Sequence, residues 1–315
     1  MALTKQNIKT LAMPLAMVVG VALCRPLAVV EQVTEHTLTP VLIAAMLFIT
    51  FCRVDIRQMR LQWAHLWMLL IQFMGAALVY YAATPLLGAE VGQGAMICVM
   101  APIAMAAVVI GGMLGGNVTM MVTYSLICNL VTALIAPYML HAFGNGSCTF
   151  MEIIARVAPT LIAPFAVAQF CRWLLPKVAA WFAAHSSISF YLWLISLILV
   201  MGRTTVFILE ADASLLVEGE LALVALVLCI VQFRAGKLLG KYTGDVVGTT
   251  QSVGQKNTIF AIWLSLNFLN PIASIAPTAY IVWQNLINSW QMWKHERAKR
   301  SRAYEPMAPL LQCGR

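Results

Sequence analysis

The sequence predicts an all-α membrane protein of ten transmembrane helices in two inverted five-helix repeats, and three observations carry that reading. Of 315 residues, 61% are hydrophobic and only 10% charged, with a mean hydropathy of +0.84, far from the usage of a soluble domain. Apolar runs of the ~20 residues that cross a bilayer as a helix recur ten times between polar breaks. The polar connection from His141 to Thr149 then divides them five and five, and an odd number per half gives the halves opposite orientation.

In chain order the spans are expected near residues 10–29, 39–53, 64–83, 95–113, 118–140, 153–175, 188–208, 218–242, 248–268 and 272–293. Lys5 and Lys9 precede the first, which lacks a cleavage site and is followed by nine more, so it is expected to be retained. Trp63 and Trp67 open the third span and Trp290 and Trp293 close the tenth, as amphipathic rings at headgroup level do. The resulting units are residues 1–141 as the first repeat, 142–151 as an outer linker, 152–293 as the second repeat and 294–315 as a basic cytoplasmic tail.

Charge placement sets the orientation. With both termini cytoplasmic, the inner loops collect Arg53, Arg57, Arg60, Arg172, Lys177, Arg234, Lys237, Lys241 and the Lys294–Arg302 cluster, while the outer side keeps little beyond Arg25, Arg156 and Arg203. The net charge of +8 therefore reports topology and contact with anionic lipid rather than a nucleic-acid partner. In a bacterial host this means the inner (plasma) membrane. The eight cysteines stand singly in apolar runs and read as small hydrophobes. Asn145-Gly-Ser147 is a glycosylation sequon facing outward, informative only in a host that glycosylates.

Two interruptions point to a site. In the fourth span Gly111, Gly112, Gly115, Gly116 and Asn117 form GGMLGGN; in the ninth, Gly248–Thr258 is a polar island between apolar flanks. Glycine takes the backbone into non-helical angles, and such backbone survives at membrane depth only where protein or a water-filled cavity satisfies it. Matching interruptions in two halves suggest discontinuous helices that meet near the midplane. The same glycines would also suit close helix packing without a break, or a loop leading into the fifth span.

These interruptions, with the lone Gln72 of the third span, Gly116-Asn-Val118 and Val253-Gly-Gln-Lys-Asn257, resemble the bile acid:sodium symporter family over nearly the whole chain. The resemblance implies a panel domain from spans 1, 2, 6 and 7, a core domain from the rest with crossing fourth and ninth helices, and movement of organic anions by alternating access, usually with sodium. It also implies a site at Gly111, Gly112, Gly115, Gly116, Asn117, Gly254, Gln255, Lys256 and Asn257. The family's ninth helix typically reads E-x-G-x-Q-N. Aligned on Gly254, Ser252 stands where the acid belongs and Lys256 where the Gln belongs, with Asn257 matching; a shift by one residue brings Gln251 to the acid position and still supplies no carboxylate. The fourth-helix ligands fall near Ala107 and Val108, and the fifth-helix ones near Met121 and Ser125. Gln72, Ser125 and Ser252 remain as remnants of ion sites.

All twelve acidic residues fall in loops, span ends or the tail, and a hard cation such as sodium wants oxygen ligands, commonly with an anionic one. No metal or cofactor is therefore expected, and ordinary two-sodium coupling is not. Lys256 lies near the centre of its span, at a cost of about 2.5 to 3.5 kcal/mol on insertion scales. Its ammonium could stand in the place of a missing sodium, pair with an anionic substrate, or snorkel to an interface.

The leading expectation is a secondary transporter for a small organic anion. A sodium-coupled symporter with non-carboxylate ligands, or a non-transporting receptor or scaffold, are the alternatives. No HExxH pair, GxSxG elbow or carboxylate cluster suggests an enzyme, and His65, His141 and His185 stand alone at span ends. Substrate identity and oligomeric state are not fixed by these patterns.

Overall fold

The computed structural model describes residues 15–35, 37–52, 59–144, 149–185, 187–210 and 214–303. Lys5, Lys9, Arg53, Arg57, the sequon at Asn145 and the tail beyond Ala303 lie outside the described residues. The described chain is helical: α1 Leu15–Ala22, α2 Cys24–Val33, α3 Leu38–Phe51, α4 Trp63–Leu87, α5 Ala89–Met100, α6 Met105–Met113, α7 Val118–Phe143, α8 Phe150–Leu174, α9 Pro176–Ala184, α10 Ser187–Glu210, α11 Leu215–Thr243, α12 Val246–Gly254, α13 Thr258–Phe268 and, after a 3-10 turn at Pro271–Ser274, α14 Ile275–Ala303. Four of these, α4, α7, α8 and α11, are each long and apolar enough to cross a membrane, and α1 with α2 makes a fifth as a bent pair. Helices α3, α5 and α13 are apolar but shorter.

The expected first span is not one rod. It turns through 79° between α1 and α2. Pro26, in the first turn of α2, has no N–H to return to the preceding helix, which is the usual cause of so sharp a change of direction. At this bend Gly20 and Gly202 let α1 and α10 touch: a Cβ on Gly20 would lie 2.7 Å from the Ile198 carbonyl oxygen. Glu31, at the far end of α2, is buried at 1% exposure, where it accepts from the Thr39 hydroxyl and interacts electrostatically with Arg203 of α10.

Helix α8 packs against both α3 and α7. Helix α10 lies against α2 and α3, and α3 against α8; α4 runs along α5, while α11 runs along α12 and α14. Residues Val91–Met100 of α5 and Thr258–Leu266 of α13 are buried on every side, which explains why these segments are apolar all round rather than along one stripe. The α11–α12 contact is closer than side chains allow. Gly236 and Gly240, one helical turn apart on α11, receive the first two turns of α12, and a Cβ on Gly236 would stand 2.5 Å from the Thr249 carbonyl oxygen.

Candidate functional site

The ninth span breaks where the polar island ends, and the fourth breaks elsewhere than expected. Helix α12 stops at Gly254 and α13 starts at Thr258, so Gln255, Lys256 and Asn257 run non-helically. In the first half the interruption is Ala101-Pro-Ile-Ala104, between α5 and α6, not the GGMLGGN segment. The expectation that residues 111–117 form the first-half crossing segment is thereby corrected. Gly111 and Gly112 are helical in α6, and Gly115 makes the turn into α7 with φ +89°, a conformation that favours glycine. Asn117 caps α7, its Oδ1 accepting from the Met120 N–H at 3.1 Å. Gly116 is small because α12 is adjacent: a Cβ there would come within 3.0 Å of the Gly248 nitrogen.

The signal for the true break was Pro102. Proline cannot donate to the helix ladder, and it drives the residue before it out of the helical region. Pro85, Pro137, Pro159 and Pro164 nevertheless sit inside unbroken helices. What distinguishes Pro102 is the set of partners waiting for the freed backbone groups.

The two breaks pair with each other. Ile103 and Lys256 form an isolated antiparallel bridge, with the Ala104 N–H donating to the Gln255 carbonyl at 2.9 Å and the Asn257 N–H donating to the Pro102 carbonyl at 2.7 Å. A shift of 153 residues, Ala104 to Asn257 and Pro102 to Gln255, carries one bond onto the other. Around this ladder the last carbonyls of α5 are each taken up by a side chain. Gln232 Nε2 donates to Cys98 at 3.3 Å, Lys256 Nζ to Val99 at 2.9 Å and Gln72 Nε2 to Met100 at 2.6 Å. The Gly254 carbonyl at the end of α12 accepts from the Tyr280 hydroxyl at 2.8 Å, and the Lys256 N–H donates to Gln284 Oε1 at 3.0 Å. Such saturation is what non-helical backbone needs away from water.

Lys256 is therefore not a snorkelling side chain. It is 2% exposed, and its ammonium caps the C-terminal end of α5, where the helix dipole is negative and a cation is favoured. Among the described residues, Lys256 and Glu31 are the charged side chains that are fully buried, and Glu31 is engaged with Thr39 and Arg203. Gln72 also holds α7: its Oε1 accepts from the Tyr124 hydroxyl and from the Cys128 thiol, each at 3.0 Å. Replacing it by Leu leaves the Met100 carbonyl and the Tyr124 hydroxyl without these partners, about 1–3 kcal/mol each. A clearly lowered unfolding temperature in detergent is the expected result for Gln72→Leu.

The other residues picked out from sequence divide. Gly254, Gln255 and Asn257 lie at the crossing, Asn257 as the cap of α13 with Oδ1 accepting from Phe260 N–H at 3.2 Å. Gly111 touches the second half through Gln251, whose Cβ would lie 3.6 Å from an added Cβ. Ser125 Oγ and Ser252 Oγ are buried without a hydrogen-bond partner, as is Asn129 Oδ1. Ala107 and Val108 are buried and apolar. The residues missed were Pro102, Gln232, Tyr280 and Gln284, none of which stands in a motif.

No curated protein matches the chain. A family match accords with the apolar, helical chain. The chain belongs to the SBF-like CPA transporter family, a bile acid:sodium symporter-like group of membrane transporters, whose sequence model matches residues 9–283.

Proposed function

We propose that this membrane transporter moves a small organic anion by alternating access, with Lys256 supplying at the crossing the positive charge that sodium supplies in coupled relatives. The observation that carries the reading is the buried ammonium of Lys256 on the Val99 carbonyl. A cation tethered there keeps the C-terminal end of α5 electrostatically balanced without an exchangeable ion. Two further features favour an anion nearby. Helices α6 and α13 begin at the crossing, with their N-termini carrying partial positive charge, and α6 has no side-chain cap at Ala104. In this reading the ten spans are two inverted repeats, α1–α2, α3, α8 and α10 form the panel, and the remaining long and broken helices form the mobile core.

The test is uptake into proteoliposomes. Purified protein should accumulate at least one of a bile acid, a sulfated steroid and a small monocarboxylate above protein-free vesicles, with a neutral steroid excluded. Saturable binding of such an anion with no uptake would favour a receptor and count against transport. The orphaned oxygens of Ser125, Asn129 and Ser252 favour a second reading, a sodium-coupled symporter that ligates its ion without carboxylates. That reading requires sodium for substrate affinity and the first does not.

A further inference from the structure

The crossing is held at its ends as well as at its centre. At one end Asp245, the cap of α12, uses both carboxylate oxygens: Oδ1 accepts from the Gly248 N–H at 2.8 Å, and Oδ2 accepts from the Asn117 N–H at 3.0 Å. The second bond joins the start of α12 to the turn that follows α6. At the other end Gln93, in α5, accepts on Oε1 from the Asn270 N–H at 2.8 Å, joining the start of α5 to the turn that follows α13. Gln93 Nε2 also donates to the Phe143 carbonyl at 2.9 Å, and Glu90 Oε1 accepts from Asn270 Nδ2 at 2.9 Å.

The two ends correspond. Asn117 and Asn270 are separated by the same 153 residues that relate the two ladder bonds. Each asparagine caps the helical segment after it, Asn117 through Met120 N–H and Asn270 through Ile272 N–H, while its own N–H is held by a side-chain oxygen from the other half of the chain. A half-helix of nine residues, such as α12, is too short to be stable by itself, so contacts at its ends add to its packing along α11 in fixing its direction.

We infer that Asp245–Asn117 and Gln93–Asn270 are a matched pair of positioning latches that set the angle at which the half-helices enter the crossing, and so the geometry of the site between them. They act through backbone placement and need no contact with substrate. The inference rests on the proposed transport reading only for its uptake readout.

Asp245→Asn separates the latch from the helix cap. The amide keeps one oxygen for Gly248 and loses the acceptor for Asn117; Asp245→Ser keeps the cap by the same logic and serves if the amide variant folds poorly. Gln93→Met removes the acceptor at the other end. Each variant is purified as the full chain and compared with the parent by hydrogen exchange of the backbone amides. If the latches position the crossing, exchange at Ala104 and Asn257 rises about tenfold as the ladder opens more often, and the apparent KM for uptake of taurocholate or estrone sulfate rises with the maximal rate kept. Exchange that rises only at Asn117, Gly248 and Thr249, or only at Asn270 and its neighbours, would reduce each contact to a local cap and overturn the inference. Absence of uptake by the parent protein would count against the transport reading alone, and the exchange pattern would still decide the latches.

Discussion

Lys256→Met is expected to weaken substrate binding by at least about 10- to 100-fold, because methionine keeps the length of the side chain and removes both its charge and its donors. The Val99 carbonyl at the end of α5 loses a charged hydrogen-bond partner at 2.9 Å, and nothing else at the crossing replaces the positive charge. A hydrogen bond to a charged group contributes about 1.5–3 kcal/mol, which corresponds to roughly 10- to 100-fold in affinity. Lys256→Gln supplies the amide that the family resemblance implies at this position but leaves Ser252 without an acid, so it is expected to impair binding rather than restore it. The double change Ser252→Glu with Lys256→Gln supplies both the carboxylate and the amide, and is expected to regain activity only when sodium is present. Binding isotherms and uptake on the three variants check this; unaltered uptake by Lys256→Met would show that the ammonium is a passive cap.

Gly236→Val breaks the joint between α11 and α12. The new Cβ would meet the Thr249 carbonyl oxygen at 2.5 Å and the Thr250 Cα at 2.8 Å, both backbone atoms that cannot turn aside as a side-chain tip can. The Thr249 hydroxyl also donates to the Gly236 carbonyl at 2.8 Å, so moving α12 away costs that bond as well. Overpacking of this kind typically costs about 1–3 kcal/mol, and here it also displaces the half-helix that carries Ser252 and leads into Lys256. The expected result is poor recovery of monodisperse protein and a lowered unfolding temperature. Gly219→Ala is the control: no atom stands within 4 Å of its added Cβ, and it should behave as the parent protein.

The membrane class and the helical character of the apolar runs were legible because burial in lipid or in protein makes a helix apolar throughout, and that signal is dense. The fourth-span break was not, because it is set by partners distant in sequence. GGMLGGN draws attention by composition, yet its glycines serve a turn at Gly115 and a close approach of Gly116 to Gly248. The chain breaks instead at Pro102, though other prolines sit inside helices, because Gln72, Gln232 and Lys256 stand ready to donate to the exposed carbonyls at the end of α5. The second-half break was readable at Gly254–Asn257, where polar residues interrupt an apolar run. Lys256 could be placed near the midplane from sequence, but the choice between snorkelling and capping needed the Val99 carbonyl. Gln72 was matched to an ion site by resemblance, and the structure gives it a different present occupation, holding Met100 and Tyr124 together.

If a tethered ammonium replaces an exchangeable cation at the crossing, substrate affinity does not depend on sodium. That independence is tested most directly by measuring the affinity of the purified protein for a transported anion while sodium is replaced stepwise by potassium or choline at constant ionic strength. The expected result is one affinity throughout, lost only when Lys256 is changed to Met. A saturable rise in affinity with sodium, absent in potassium and choline, would contradict it.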